Sequence, residues 1–269
     1  MEALRQVDGW PVDAVAVGVV RDGEILGVRG QRERVFRWAS VTKPFTAYSA
    51  LVAAEEGALD LDAPAGPPGS TVRHLLAHAS GLPFEGTTPI GRPGARRIYS
   101  NTGFEVLAET LAEAVEMPFA EYLAEAVLRP LGLRAELRDP SPAAGLWGPL
   151  DDLLAFAVEL LAPRLVAPET LAEATTVAFP GLGGVLPDIG RFDPNDWGLG
   201  FELKDAKRPH WSGERTSPAT FGHFGGSGAF LWVDPEVRAG CACLTDREFG
   251  PWALEVWPPL EDAVVDELL

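Results

Sequence analysis

The chain of 269 residues reads as an α/β (α+β) protein: an antiparallel sheet, flanked by terminal helices, assembled from both ends of the sequence around a mostly helical inserted region. Three observations carry that reading. Strand-type patterning occupies residues 13–38 and returns over 198–244, helix-period patterning fills most of 42–175, and an amphipathic segment closes the chain at 259–268. The sheet region is expected over 1–50 and 200–269 and the helical region over 51–199, in one compact unit.

Valine alternates with small residues over 13–21, and Asp22-Gly23 supplies a tight turn into 24–28, a β-hairpin. A third strand near 34–38 leads directly to Ser40. From Thr42 to about Glu56, Phe45, Tyr48, Leu51 and Val52 share one helical face, Pro44 is tolerated in the first turn and Gly57 is the stop. Ser70 or Thr71 caps a short helix from Val72 to His78, and amphipathic helices follow at 102–115, 118–128, 150–162 and 168–175. The glycine-, proline- and tryptophan-rich stretch 180–200 reads as loop. Strands are expected at about 198–203, 219–224, 228–233 and 237–244, with Asp234-Pro235-Glu236 as a turn.

With 46% hydrophobic and 23% charged residues the chain buries a real core, which excludes wholesale disorder, and no fixed-period repeat is present. The net charge of −17 repels phosphate, so nucleic acid and anionic membranes are poor partners and small neutral or cationic ligands remain open. The longest early apolar run, Ala14 to Val20, is too short to span a membrane, and the first residues lack a basic flank and a following apolar stretch; a cytoplasmic protein is expected. Cys241 and Cys243 lie two apart, on one face of a strand, as small buried apolar residues. Lysine is rare: Lys43, Lys204 and Lys207 are the only ones, so a lysine in an informative pattern carries weight.

Such a pattern is Ser40-Val41-Thr42-Lys43 at the head of a helix, where the three-residue spacing puts hydroxyl and amine on one face. Serine is a weak nucleophile until a base removes its proton, and lysine serves as that base only when its pKa is lowered. Nine serines and three lysines give about 0.1 such matches by chance. Tyr99-Ser100-Asn101 places a phenol and an amide before another helix, a proton shuttle and a carbonyl anchor, with about 0.02 chance matches. In His223-Phe224-Gly225-Gly226-Ser227-Gly228 a glycine-rich strand edge lets backbone N–H groups approach an oxyanion. Taken together and in this order, the three are far more specific than any one.

Those stretches, with Trp38 to Thr46, Thr71 to Pro83 and Tyr99 to Phe104, make the sequence similar to the serine β-lactamase-like superfamily, in the branch of class C β-lactamases, D-alanyl-D-alanine carboxypeptidases and family VIII esterases. The similarity runs from about residue 14 to 245. It implies a β-lactamase/transpeptidase-like fold and an acyl-enzyme hydrolase of small esters, amides or peptides that needs no metal and no cofactor. By resemblance Ser40 is the nucleophile and Lys43 its proton acceptor, hydrogen-bonded to Tyr99. Asn101 contacts the substrate amide or the lysine, and His223 fills the position held by lysine or histidine in other members. Phe224, Gly225 and Gly226 complete the substrate edge, with the N–H groups of Ser40 and Gly226 as the oxyanion hole.

Two departures bear on substrate. The chain is short for a class C enzyme, and Phe224 stands where many penicillin-recognising members carry a threonine that helps bind a carboxylate. An esterase-like preference over β-lactams follows, with β-lactamase, D-amino-acid peptidase and a non-catalytic binding module as alternatives. Arg215 is a further candidate for a substrate carboxylate. His74 and His78 have zinc-site spacing but no intervening H-E-x-x-H glutamate, and read as structural. His210, Trp197, Trp211 and Trp232 read as packing residues before cleft residues. The sequence carries no signal for oligomeric state.

Overall fold

The computed structural model describes residues 1–269. After a 3₁₀ turn at Ala3–Gly9, which the sequence reading missed, come β1 (Val15–Arg21), β2 (Glu24–Gly30), β3 (Phe36–Arg37), α1 (Thr42–Glu55), α2 (Val72–Leu76) and α3 (Asn101–Ala114). The middle of the chain adds α4 (Phe119–Leu123), continued by a π-turn at Ala124–Leu128, then β4 (Glu136–Leu137), β5 (Leu146–Gly148), α5 (Leu150–Leu161) and α6 (Pro168–Ala174). A small hairpin, β6 (Gly184–Leu186) and β7 (Gly190–Phe192), precedes β8 (Glu202–Leu203), β9 (Phe221–Gly225), β10 (Ala229–Asp234), β11 (Ala239–Thr245) and α7 (Pro251–Leu268).

The main sheet is antiparallel in the order β2-β1-β11-β10-β9-β8, so the two chain ends meet where β1 pairs with β11, Val15 opposite Thr245 and Arg21 opposite Ala239. Asp22 and Gly23 both have positive φ, 52° and 86°, as a two-residue hairpin loop with the right twist requires. The five inner residues of β1 are all buried because the sheet is covered on both faces. One face meets α5 so closely that a Cβ on Gly18 would lie 2.7 Å from Leu154 Cδ1. That face joins a core of 49 residues running through the helical region, while Val17, Val19, Cys241 and Cys243 face a second core of 22 residues under α7 and the N-terminal turn. The result is three layers.

Several expected boundaries shift for tertiary reasons. The expected strand at 34–38 shrinks to β3 and pairs with β5, outside the main sheet. The strand at 198–203 shortens to β8, and the loop at 180–200 contains the β6–β7 hairpin. The closing helix begins at Pro251 rather than near 259, with Pro258 and Pro259 inside it. Those prolines remove two helix N–H donors, but burial of Trp252, Trp257, Leu260, Val264 and Val265 outweighs the loss. The α2 helix stops at Leu76, and His78 beyond it has φ 53°. The boundary expected at residue 50 falls inside α1.

Helix α1 is buried from Thr42 to Ala53, all the way round, as a central helix must be. Phe45 is fully buried, stacks on Phe156 with ring centroids 3.9 Å apart and meets the tilted Trp38 ring at 5.1 Å, next to the segment that carries Ser40. Phe45→Ala is expected to destabilise the fold by about 3–5 kcal/mol, the usual range for emptying an aromatic site in a core. Urea unfolding measures it, and a loss below about 1 kcal/mol would show that the core collapses onto the gap.

Candidate active site

Ser40 sits in a single 3₁₀ turn, Ala39–Val41, that feeds α1. The turn is held from both sides. Trp38 N–H donates to Leu146 O at 3.0 Å, the Trp38 indole Nε1 donates to Gly148 O at 3.0 Å, and Leu146 N–H donates to Thr42 Oγ1 at 3.0 Å. Ala39 just before the serine has φ 47°, a left-handed conformation that an L-residue tolerates only when its surroundings enforce it. Ser40 remains half-buried, while Lys43, one turn on, is completely buried.

Lys43 Nζ has three oxygen neighbours: Asn101 Oδ1 at 2.7 Å, Ala143 O at 3.1 Å and Ser40 Oγ at 3.2 Å. The carbonyl and the amide oxygen can only accept, so two N–H groups go to them. A neutral amine then turns its lone pair to the serine hydroxyl. Burial pushes the Lys43 pKa well below its ordinary value, only partly opposed by Glu105, which favours that neutral form. Asn101 is the first residue of α3, and Ser100 caps the helix by accepting from Gly103 N–H at 2.8 Å, which fixes where the amide points.

Tyr99 lies against this group, but not as expected. Lys43 Nζ stands 4.7 Å from the centre of the Tyr99 ring, over its face, rather than in a hydrogen bond with the phenol oxygen; Nζ is already occupied by Asn101, Ala143 and Ser40. The phenol instead donates to His223 Nε2 at 3.4 Å, and His223 Nδ1–H donates to the Phe224 carbonyl at 2.6 Å, which sets the tautomer. Burial, reinforced by Lys43, lowers the His223 pKa to about 3, so the ring is neutral. Burial raises the Tyr99 phenol, opposed by the adjacent Ser40 hydroxyl, so it keeps its proton. Behind Tyr99 stand His78, ring centroid 4.6 Å away, and Trp197 at 5.8 Å.

The β9 edge closes the site. A Cβ on Gly225 would lie 2.3 Å from Trp38 O and 3.3 Å from Ser40 N, so only glycine lets this strand end rest against the Ser40 turn. Gly226 is exposed, a Cβ there would meet nothing within 4 Å, and its N–H has no acceptor in the protein. Ser227 Oγ donates to Arg37 O at 2.8 Å and is tied to the chain behind Ser40. Phe224 departs from expectation. Strand alternation turns its side chain to the opposite face from His223, where it packs on Phe249 at 4.7 Å and Trp211 at 5.9 Å within the second core.

Arg215 is spoken for: its guanidinium pairs with Asp266 at 2.6 Å and its N–H donates to Asp262. His74 serves α2, its Nδ1 accepting from Thr71 N–H in a capping box, and His78 Nδ1 accepts from Ser100 N–H. No group of three or more His, Cys, Asp or Glu side chains has metal-binding geometry. His210 and Trp211 are buried and bind Glu202, which Lys207 also contacts; burial raises that carboxyl, but His210 and Lys207 hold it at about 2. Sequence reasoning missed the Ala143 carbonyl, because a backbone group has no residue-type signal. It also missed the burial of Lys204 and Lys207, hinted at only by the scarcity of lysine.

Residues 11–265 match the family model described as Beta-lactamase. The chain is similar along 99% of both chains to a β-lactamase crystal structure from Mycobacterium bovis, at 51% identity and a TM-score of 0.97. It is 29% identical over 177 residues to the D-alanyl-D-alanine-carboxypeptidase/endopeptidase AmpH of Escherichia coli K12, covering 52% of this chain and 46% of that protein. It is 25% identical to Esterase EstB of Burkholderia gladioli, over 94% of this chain and 90% of that one. The chain thus spans about half the length of the carboxypeptidase it matches. No helix is long and apolar enough to cross a membrane. With the family match covering nearly the whole chain, and a fold that agrees with it, this protein belongs to the β-lactamase family.

Proposed function

We propose that the protein is a serine hydrolase that cleaves small esters or amides through a Ser40 acyl-enzyme. The observation that carries this reading is the buried Lys43 amine, 3.2 Å from Ser40 Oγ with its other bonds committed to Asn101 and Ala143. Lys43 takes the Ser40 proton as Oγ attacks the substrate carbonyl. The N–H groups of Ser40 and Gly226 receive the developing oxyanion. Tyr99 Oη gives its proton to the leaving group as the carbonyl re-forms, and the phenolate that remains lies beside the newly formed Lys43 ammonium. In the second half, water gives a proton to that phenolate and attacks the acyl carbonyl; Ser40 Oγ leaves and recovers its proton from Lys43. Each half thus moves one proton through each group, and the site returns to its starting state. His223 holds the phenol in place throughout.

The packing of Phe224 away from the cleft leaves β9 without a side-chain hydroxyl at that position, in keeping with an ester preference over β-lactams. A location in the cytoplasm remains part of this proposal.

Fluorophosphonate labelling followed by intact-mass measurement tests the nucleophile: one adduct is expected on the wild type and none on Ser40→Ala, and an adduct persisting on the variant would sink the assignment. Lys43→Ala and Tyr99→Phe are each expected to slow ester hydrolysis by ~10²–10⁴-fold, and the double variant to lose little more than the worse single one. Strictly additive losses would mean independent roles. Because burial lowers the Lys43 pKa, kcat/KM for p-nitrophenyl butyrate should fall on the acid side as the amine gains its proton, at a pH well below that at which an ordinary lysine titrates.

A stability test follows from His223. The unfolded imidazole binds a proton near pH 6.5, whereas the folded one resists until about 3. The unfolded state therefore holds more protons in that window, and stability drops as pH is lowered through it. Urea unfolding at pH 4.5 and 7 should show a shallower pH slope for His223→Gln; an unchanged slope would refute this contribution.

A further inference from the structure

Next to Tyr99 lies a cleft of about 530 Å³ that the acyl-transfer chemistry does not use. One wall is the segment before Tyr99, with Phe84, Ile90 and Ile98; the other is the β6–β7 hairpin, with Val185 and Arg191. Phe84, Ile90 and Val185 are about half exposed, an unusual density of large apolar groups on an otherwise highly charged surface. Phe84 stacks parallel to Tyr99 at 6.0 Å, so the cleft is continuous with the reacting groups.

The two walls are built onto each other. Arg97 N–H donates to Gly183 O at 2.9 Å, and its buried guanidinium donates to the carbonyls of Ala77, Ala178, Phe179 and Asn195. A Cβ on Gly184 would lie 2.6 Å from Arg97 Cβ, so a glycine is required for the hairpin to close on this strap. Arg97 is therefore consumed in construction, and its charge is satisfied by carbonyls.

Arg96 and Arg191 are different. Both line the cleft, both are exposed, and neither has a carboxylate within 4.0 Å, although Asp188 also lines it. In the same chain twelve arginines do pair with Asp or Glu, as a net charge of −17 favours. Arg96 gives one N–H, from Nη2, to the Ile90 carbonyl at 3.1 Å, which holds it at the cleft and leaves its other donors free. Two guanidinium groups without carboxylate partners over an apolar cleft make a receptor for an apolar segment ending in an anion, and the planar fork of arginine matches a carboxylate.

We infer that this cleft selects substrates whose end remote from the scissile bond is an apolar chain or ring carrying a carboxylate, held by Arg96 and Arg191. The inference rests on the acyl-enzyme reading for its kinetics but not for its binding, and the test separates the two. On the Ser40→Ala background, calorimetry compares monoethyl adipate with neutral diethyl adipate, and 6-acetoxyhexanoate with hexyl acetate, so that the carboxylate is offered on the acyl or the alcohol side. On the active chain, kcat/KM compares mono-p-nitrophenyl adipate with p-nitrophenyl hexanoate.

The carboxylated member of at least one binding pair should bind more tightly, and Arg96→Gln with Arg191→Gln should cut that preference about five- to tenfold, the reach of two exposed charge pairs. The preference should also fade in 0.5 M salt. If neither carboxylated probe is preferred, or if the preference survives the double substitution, the inference is overturned. Preferential binding that needs the arginines, with no ester turnover or with turnover unaffected by Ser40→Ala, would uphold the cleft and overturn the hydrolase reading instead.

Discussion

The arrangement depends on one constraint: the amine of Lys43 has to be taken out of water without being left unpaired. A buried amine with no partners costs several kcal/mol, and a buried ammonium more. The fold meets this by bringing an amide oxygen from the start of α3 and a carbonyl from the segment before β5 to the same nitrogen. Those two contacts join parts of the chain that are 58 and 100 residues away from Lys43. They also determine which direction remains open on Nζ, and Ser40 Oγ occupies it.

The second constraint is steric. The serine has to stand at a seam between the helical region and the sheet, and the seam closes only if two backbones can touch. Gly225 supplies the space on the sheet side, and the left-handed Ala39 supplies the sharp turn on the other. A residue such as Ala39 costs of order 1–3 kcal/mol in strain. The Trp38 hydrogen bonds to Leu146 and Gly148 and the packing of Trp38 against Phe45 offset it. The strain thus sits where it points the hydroxyl outward, with the core holding the turn from behind.

Charge is sorted in space more sharply than the composition suggests. All three lysines are buried, each with its donors committed to carbonyl, amide, hydroxyl or carboxylate groups, while arginine supplies nearly all of the exposed positive charge. Around Tyr99 the pattern is reversed: the neutral rings of His78, Trp197 and His223 pack about it, and burial keeps both the phenol and the imidazole uncharged. Such burial strengthens the interactions of any charge that appears during the reaction, because little solvent is present to screen it.

How much of this was legible in sequence follows from the range of the interactions. The Asp22-Gly23 hairpin, the stop of α1 before Gly57 and the placing of strands from both chain ends in one sheet rest on turn chemistry and periodicity, and the sequence determined them by itself. The candidate set of Ser40, Lys43, Tyr99, Asn101, His223 and Gly226 was legible as three ordered motifs and a family resemblance, which name residues but give no geometry. Tertiary structure decided what depends on groups without a sequence signature or on competition between partners. The Ala143 carbonyl captures Lys43, so the amine faces the Tyr99 ring and the phenol turns to His223. Phe224 and Arg215 are drawn away from the cleft, one by the apolar core under α7 and the other by Asp266. Helix α7 runs through two prolines because packing outweighs two lost backbone bonds. Local rules cannot rank such alternatives; only the full set of neighbours does, because the cost of leaving a buried polar group unsatisfied exceeds the helix propensity differences among residues other than proline.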